Sequence, residues 1–162
     1  MELSLSIVLP VHNAQCTLAR DVHLLLDLLP DITPHFEILV VDDASTDQTE
    51  EIAHELALEF PQLRVMRHHS RQGQTSAVQT AMNQTTGHVV FVQDEGSEIR
   101  SAEIRQLWDM RHDRQLVMAR AEMPPRKTLN PHLLDRLAHW GEQLRETQAD
   151  TPQGGIQMIR RE

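Results

Sequence analysis

The sequence predicts an α/β domain on a mainly parallel sheet, and three features carry that expectation. Apolar runs of strand length alternate with longer segments whose apolar residues recur every three or four positions. One run, Phe36 to Val41, is almost continuously apolar, as a strand covered on both faces should be. Turns rich in Asp, Ser and Asn follow the runs, and in such sheets ligands bind at the carboxyl ends of the strands.

The elements follow in order. Leu3 to Pro10 reads as the first strand, and Leu18, Val22, Leu25 and Leu29 then share one helix face, with Pro30 and Pro34 punctuating the exit. After the strand from Phe36 to Val41, Ser45 with Gln48 predicts a capping box for a helix carrying Ile52, Leu56 and Phe60 on one side. Leu63 to Arg67 is a third strand, and Gly73 lies in the polar turn before a helix with Ala77, Val78, Ala81 and Met82. His88 to Val92 is the fourth strand, and Ser101 opens a helix bearing Ile104, Leu107 and Trp108. Gln115 to Ala119 is the fifth. The paired prolines make Glu122 to Asn130 a loop, because proline neither donates to a sheet nor continues a helix. Asn130 and Pro131 then suit an N-cap and first helical position, ahead of Leu133, Leu137, Trp140 and Leu144. A last short strand follows the glycine turn at Gly154 and Gly155.

Bulk properties narrow the function classes. The 162 residues suit a single domain, 1–162, with a substantial core. A net charge of −9 and 3% aromatics without tyrosine argue against a nucleic-acid partner, which needs basic surface and stacking platforms. Cys16 is the single cysteine, so no internal disulfide forms. No apolar run approaches the roughly 18 residues of a membrane span, and no leader pattern opens the chain. The expectation is a cytoplasmic domain without a membrane span.

Four turns fall at expected strand ends: Pro10 to Asn13, Asp42 to Asp47, Arg67 to Gly73, and Gln93 to Glu98. The acids Asp42, Asp43 and Asp47 suit hydrogen bonds to a nucleobase or ribose, and equally suit turn-building and capping beside Ser45. Arg67, Arg71 and a helix start offer phosphate a modest site, which is not a P-loop because a second glycine and the Lys-Ser/Thr pair are missing. Asp94, Glu95 and Glu98 are hard oxygen donors fit for magnesium or manganese, or else a loop placing negative charge before a helix. His132, Asp135 and His139 share a helix face but lack the H-E-x-x-H pattern of a zinc site.

Taken in order, these segments resemble the family 2 inverting glycosyltransferases. "IVLPVHNAQ" is similar to the P-x-Y-N-E strand end, "VVDDASTDQT" to VVDDGSTDGT, and Gln93, Asp94 and Glu95 fill the D-x-D slots. "GQTSAV", "VMAR" and "GGIQMIRRE" are similar to segments of the polyprenyl-phosphate sugar synthase branch, such as dolichyl-phosphate mannose synthase. The resemblance implies a GT-A fold, a three-layer α/β/α sandwich, with a nucleotide-binding half over about 1–120 and a shortened acceptor side over about 121–162. It implies a UDP- or GDP-linked sugar donor held by Pro10, His12, Asn13, Asp42, Asp43, Ser45, Gly73, Gln93 and Asp94. Glu95 would meet a divalent metal (magnesium or manganese), and Arg120 and Arg126 would serve the donor and acceptor phosphates.

Three departures from the pattern leave two readings open. Gln93 removes a negative charge, Thr151 stands where the branch has aspartate (Asp150 lies one place early), and the segment after Arg120 is short. One reading is a transferase acting on an acceptor such as a polyprenyl phosphate, with a protein partner able to supply the missing side. The other is a catalytically degenerate domain that binds nucleotide or a partner. A response-regulator receiver is also similar in its acidic pair and Asp94, but receivers carry that pair after the first strand.

Overall fold

In the computed structural model, residues 2–113, 118–120 and 155–161 are described, all within one compact unit. The strands are β1 (Leu5–Val11), β2 (Phe36–Asp42), β3 (Leu63–Arg67), β4 (Val89–Gln93), β5 (Met118–Arg120) and β6 (Ile156–Arg160). The helices are α1 (Leu18–Ile32), α2 (Thr49–Glu59), α3 (Gln74–Gln84) and α4 (Ser101–Asp109), the last running into a single 3-10 turn at Met110–His112. The expected loop at Glu122 to Asn130, the helix after Asn130, Arg126, the His132 group and Thr151 lie outside the described residues.

The sheet order is β3-β2-β1-β4-β6-β5. The first four strands are parallel, while β6 runs antiparallel between β4 and β5. Strand alternation sorts side chains between the faces. Leu5, Ile7, Leu9, Ile38, Val40 and Phe91 pack with α1, α2 and α4, whereas Val8, Leu39, Val41, Val90 and Val92 pack with α3. Both sides of the central strands are therefore dry, which is why Phe36 to Val41 reads as continuously apolar.

The order explains where the helices lie. From β1 to β3 the chain moves one way with α1 and α2 on one face; from β3 it returns past β2 and β1 with α3 on the other. A right-handed crossover demands that switch of face. The strand direction of travel thus reverses between β1 and β4, leaving a crevice at their carboxyl ends.

Two local expectations change. α1 does not stop at Pro30 but runs through it to Ile32, since a proline in the final turn removes only one helical N–H while Thr33 N–H still reaches Leu29 O at 2.9 Å. The capping box at Ser45 does not form: Ser45 Oγ accepts Asn13 N–H at 2.9 Å, and Asp47 Oδ1 takes Thr49 N–H at 2.9 Å. Among the described residues, no helix is long and apolar enough to cross a membrane.

Candidate functional site

Register brings the ends of β1, β2 and β3 level, with Val11 opposite Asp42 and Asp42 opposite Arg67. The loops after β1 and β2 are sewn together there. Asn13 and Ala44 both adopt positive φ, 51° and 57°, turning their loops toward each other. Asn13 Oδ1 accepts Thr46 N–H at 2.8 Å, Ala14 N–H donates to Thr49 Oγ1 at 2.8 Å, and Gln15 N–H reaches Asp47 Oδ2 at 3.3 Å. The polar residues of "VVDDASTD" build this platform.

The two leading aspartates face inward. Asp42 is fully buried; its Oδ1 accepts Ser45 N–H at 3.0 Å and its Oδ2 accepts Arg67 Nη1 at 3.0 Å, while Arg67 also reaches Glu50 and the Ser45 carbonyl. Asp43, also buried, accepts Gln72 N–H and Gly73 N–H, each at 2.8 Å. Its third partner is His68 Nδ1 at 2.8 Å, and His68 Nε2 lies 2.9 Å from Thr80 Oγ1. A carboxylate accepts only, so His68 Nδ1 donates to Asp43, while Nε2 meets the Thr80 hydroxyl, which can donate or accept. Burial pushes the Asp43 carboxyl up, but the bonds from Gln72, His68 and Gly73 outweigh it and hold the group below the ordinary range. Asp43 thereby fixes Gly73, whose φ of 89° starts α3.

In front of this platform, at the β1/β4 reversal, lies a cavity of about 530 Å³. Its walls are residues 9–14, Thr17, Leu18, Arg20 and Asp21 of α1's beginning, and the turn 93–99. Of the expected nucleotide-sugar residues, Pro10, His12, Asn13, Gln93 and Asp94 line it with Glu95, while Asp42, Asp43, Ser45 and Gly73 stand outside its lining. His12 Nδ1 donates to the Asp43 carbonyl at 2.8 Å, which fixes its tautomer and leaves Nε2 beside Asn13 Nδ2 at 3.4 Å. Arg120 ends β5; Arg126 lies outside the described residues. Arg20 and Asp21, paired at 3.0 Å, are lining residues that the motif reading missed. Their signal was positional: they open the helix that follows the first strand end.

The acidic turn is wired internally. Asp94 is buried; its Oδ1 accepts Gln74 Nε2 at 2.8 Å and Gln157 Nε2 at 3.2 Å, and its Oδ2 accepts Gly155 N–H at 3.1 Å. Gln93, also buried, turns its amide onto Ser97 Oγ and the Glu98 carbonyl. Glu95 Oε1 pairs with Arg71 Nη2 at 3.3 Å. Among the described residues, no group of three His, Cys, Asp or Glu side chains can hold a metal on protein ligands alone. Glu95 nevertheless fits an ion of the magnesium type, which needs one or two carboxylates and takes its other ligands from phosphate and water.

A mainly parallel sheet in this order, with a cavity at its reversal point, defines the class: the GT-A, nucleotide-diphospho-sugar transferase-like fold. The solved structures it resembles include a mannosyltransferase of Pyrobaculum calidifontis in complex with GDP-Man and Mn2+. That match has a TM-score of 0.64 and 20% identity over 99% of this chain and 45% of the other. Glucosyl-3-phosphoglycerate synthase of Mycobacterium tuberculosis, with Mn2+, UDP and glucosyl-3-phosphoglycerate, matches at a TM-score of 0.62 and 18% identity, over 98% of this chain and 57% of that one.

The chain belongs to glycosyl transferase family 2, whose model matches residues 6–159. It is 32% identical over 92 residues to a dolichol-phosphate mannosyltransferase of Pyrococcus furiosus, covering 57% of this chain and 25% of that protein. It is 30% identical over 105 residues to the glycosyltransferase AglD of Haloferax volcanii, covering 62% and 17%. The chain thus spans a quarter or less of the matched relatives' length.

Proposed function

We propose that this chain is the donor-binding domain of a glycosyltransferase, taking a UDP- or GDP-linked sugar into the cavity between β1 and β4. The observation that carries the reading is the placement of that cavity at the strand-order reversal, with Glu95 on its rim. Pro10, His12 and Asn13 would bound the nucleoside, and the Asp43 region would shape the wall behind them. When bound, a divalent ion on Glu95 would neutralise the diphosphate leaving group. Residues 1–120 would form the nucleotide half and 121–162 the acceptor side, with Arg120 and Arg126 serving the donor and acceptor phosphates.

A polyprenyl phosphate is a fitting acceptor class. Its ionised oxygen attacks the anomeric carbon as the bond to the β-phosphate oxygen breaks, and the nucleoside diphosphate departs. An alcohol would need a general base to take its proton; an ionised phosphate does not. This suits a turn whose aspartate is already occupied by Gln74, Gln157 and Gly155. The same occupancy, with Gln93 turned onto Ser97, favours a second reading: a degenerate domain that binds nucleotide or a partner without transfer.

Calorimetric titration of UDP and GDP, with and without manganese, tests the first step. Binding of one nucleotide that Mn2+ strengthens, with that strengthening lost in Glu95→Ala, is the expected result. Absence of binding under all conditions would refute a donor site in this chain.

A further inference from the structure

We propose that Arg71 is the resident counter-ion of this site: it holds Glu95 while no metal is bound, yields it to a divalent ion, and then turns to the diphosphate that accompanies that ion. The inference rests on the reading of the cavity as a nucleotide-diphospho-sugar site. Its ground is that two oppositely charged side chains meet from two segments whose backbones are held in place, the second by the residue that follows the first. Arg71 sits on the loop before α3, where the next two N–H groups, of Gln72 and Gly73, are both held by Asp43 at 2.8 Å. Glu95 sits on the acidic turn, which Gln74 grips twice: its Oε1 accepts Glu95 N–H at 3.0 Å and its Nε2 donates to Asp94 Oδ1 at 2.8 Å. The Arg71 Nη2 to Glu95 Oε1 distance of 3.3 Å joins these two fixed backbones.

The two partners differ in freedom. The Arg71 side chain is 59% exposed and the Glu95 side chain 22%. The guanidinium can therefore leave without uncovering a core, while the carboxylate stays where the braced turn puts it. Arginine does not lose its proton in a protein, so it competes with a metal for Glu95 at any working pH. Its planar fork suits phosphate oxygens as well as it suits a carboxylate.

The local charge count makes the exchange directional. Gln93 is neutral, and Asp94 is occupied by protein donors that include Gln74, Gly155 and Gln157, so Glu95 is the acid of the D-x-D slots that faces the cation. A bare metal ion would displace Arg71 and leave that guanidinium without its partner. A metal arriving with a diphosphate gives both cations a ligand at once. Metal and nucleotide should therefore bind together, each weakly alone.

The test follows Mn2+ by electron paramagnetic resonance of the free ion, and UDP and GDP by calorimetry in EDTA and in Mn2+, for wild type, Arg71→Ala and Glu95→Gln. Arg71→Ala should bind Mn2+ alone more tightly by about two- to fivefold, the range of an exposed ion pair. The same variant should bind nucleotide in EDTA more weakly by a similar factor. Glu95→Gln should lose the effect of Mn2+. Opposite shifts in one variant distinguish exchange from a loosened loop, which would weaken both. Unchanged or weaker Mn2+ binding in Arg71→Ala, with nucleotide still bound, would overturn the proposal alone; absence of nucleotide binding by wild type would overturn the cavity reading and this with it.

Discussion

At the scale of single residues, Gln93 decides between the two readings of the site. Its amide donates to Ser97 Oγ and to the Glu98 carbonyl from a position 5% exposed. Gln93→Asp would withdraw both donations and set a carboxylate beside a carbonyl oxygen, a loss of about 1–3 kcal/mol for buried groups left unpaired. Thermal melting in metal-free buffer should fall by about 2–4 °C for each kcal/mol. If the turn receives a metal-bound diphosphate, Mn2+ with UDP or GDP should restore much of that loss, because the new carboxylate adds a ligand. A melt that stays low with both present would favour the non-catalytic module, and a melt unchanged without metal would show that the Gln93 contacts contribute nothing. The sequence located this turn and its missing charge. It did not reveal that Asp42 and Asp94 face protein donors, because Arg67 lies 25 positions from one and Gln157 63 from the other. Spacing along the chain says which acids share a strand end, and only the folded loops say which of them still face the cavity.

At the scale of elements, apolar periodicity located the four α-helices and the first strands, and a glycine turn marked the last strand. The 3-10 turn after α4 was not foreseen, and the other differences fell at element ends. Helix ends depend on which partner takes the terminal N–H groups, and here those partners come from neighbouring loops. Ser45 fits a cap in sequence, but Asn13 holds its hydroxyl; Pro30 fits a stop, but the final turn of α1 loses only one bond to it. A close approach was similarly invisible. Gly87, between α3 and β4, donates its N–H to Ser6 Oγ at 2.9 Å, and a Cβ there would meet Ser6 Oγ, Ser6 N at 2.7 Å and the Leu5 carbonyl carbon at 3.0 Å. Two of these are backbone atoms of β1, which are fixed by parallel pairing on both sides. Gly87→Ala should therefore force β4 away from β1 and cost about 1–3 kcal/mol, the usual range for overpacking. Urea denaturation should show a lower midpoint at unchanged slope. A midpoint equal to wild type would mean that the turn shifts freely, and the amino-terminal ends of β1 and β4 would then be softer than their contacts indicate.

At the scale of the whole molecule, α/β alternation was legible because a parallel sheet needs helical crossovers, but the strand order was not. The antiparallel insertion of β6 between β4 and β5 joins strands far apart in the chain, and no local pattern encodes such a pairing. Acid stability is likewise a property of the assembled fold. Three carboxyls, Glu37, Asp43 and Asp47, are pushed up by burial and brought down further by hydrogen bonds, so each lies below its ordinary value. Glu37 is held by Thr86 N–H, the Ser6 hydroxyl and Arg64, Asp43 by Gln72, His68 and Gly73, and Asp47 chiefly by Thr49. For a group whose folded value is depressed, the unfolded chain binds the proton first as pH falls, so stability decreases with acidification. The contribution is complete above the unfolded values, near about 4, and disappears as pH drops through the lower folded ones. The urea midpoint should therefore stay level on descending from neutrality to about pH 5 and fall steeply below about pH 4. Asp43→Asn removes one of the three titrating groups and leaves one N–H of the Gln72–Gly73 pair without its acceptor. That variant should start less stable at neutral pH and lose stability less steeply in acid. Parallel acid slopes for the two proteins would show that Asp43 holds no depressed carboxylate, and that the start of α3 is fixed by something other than that charge.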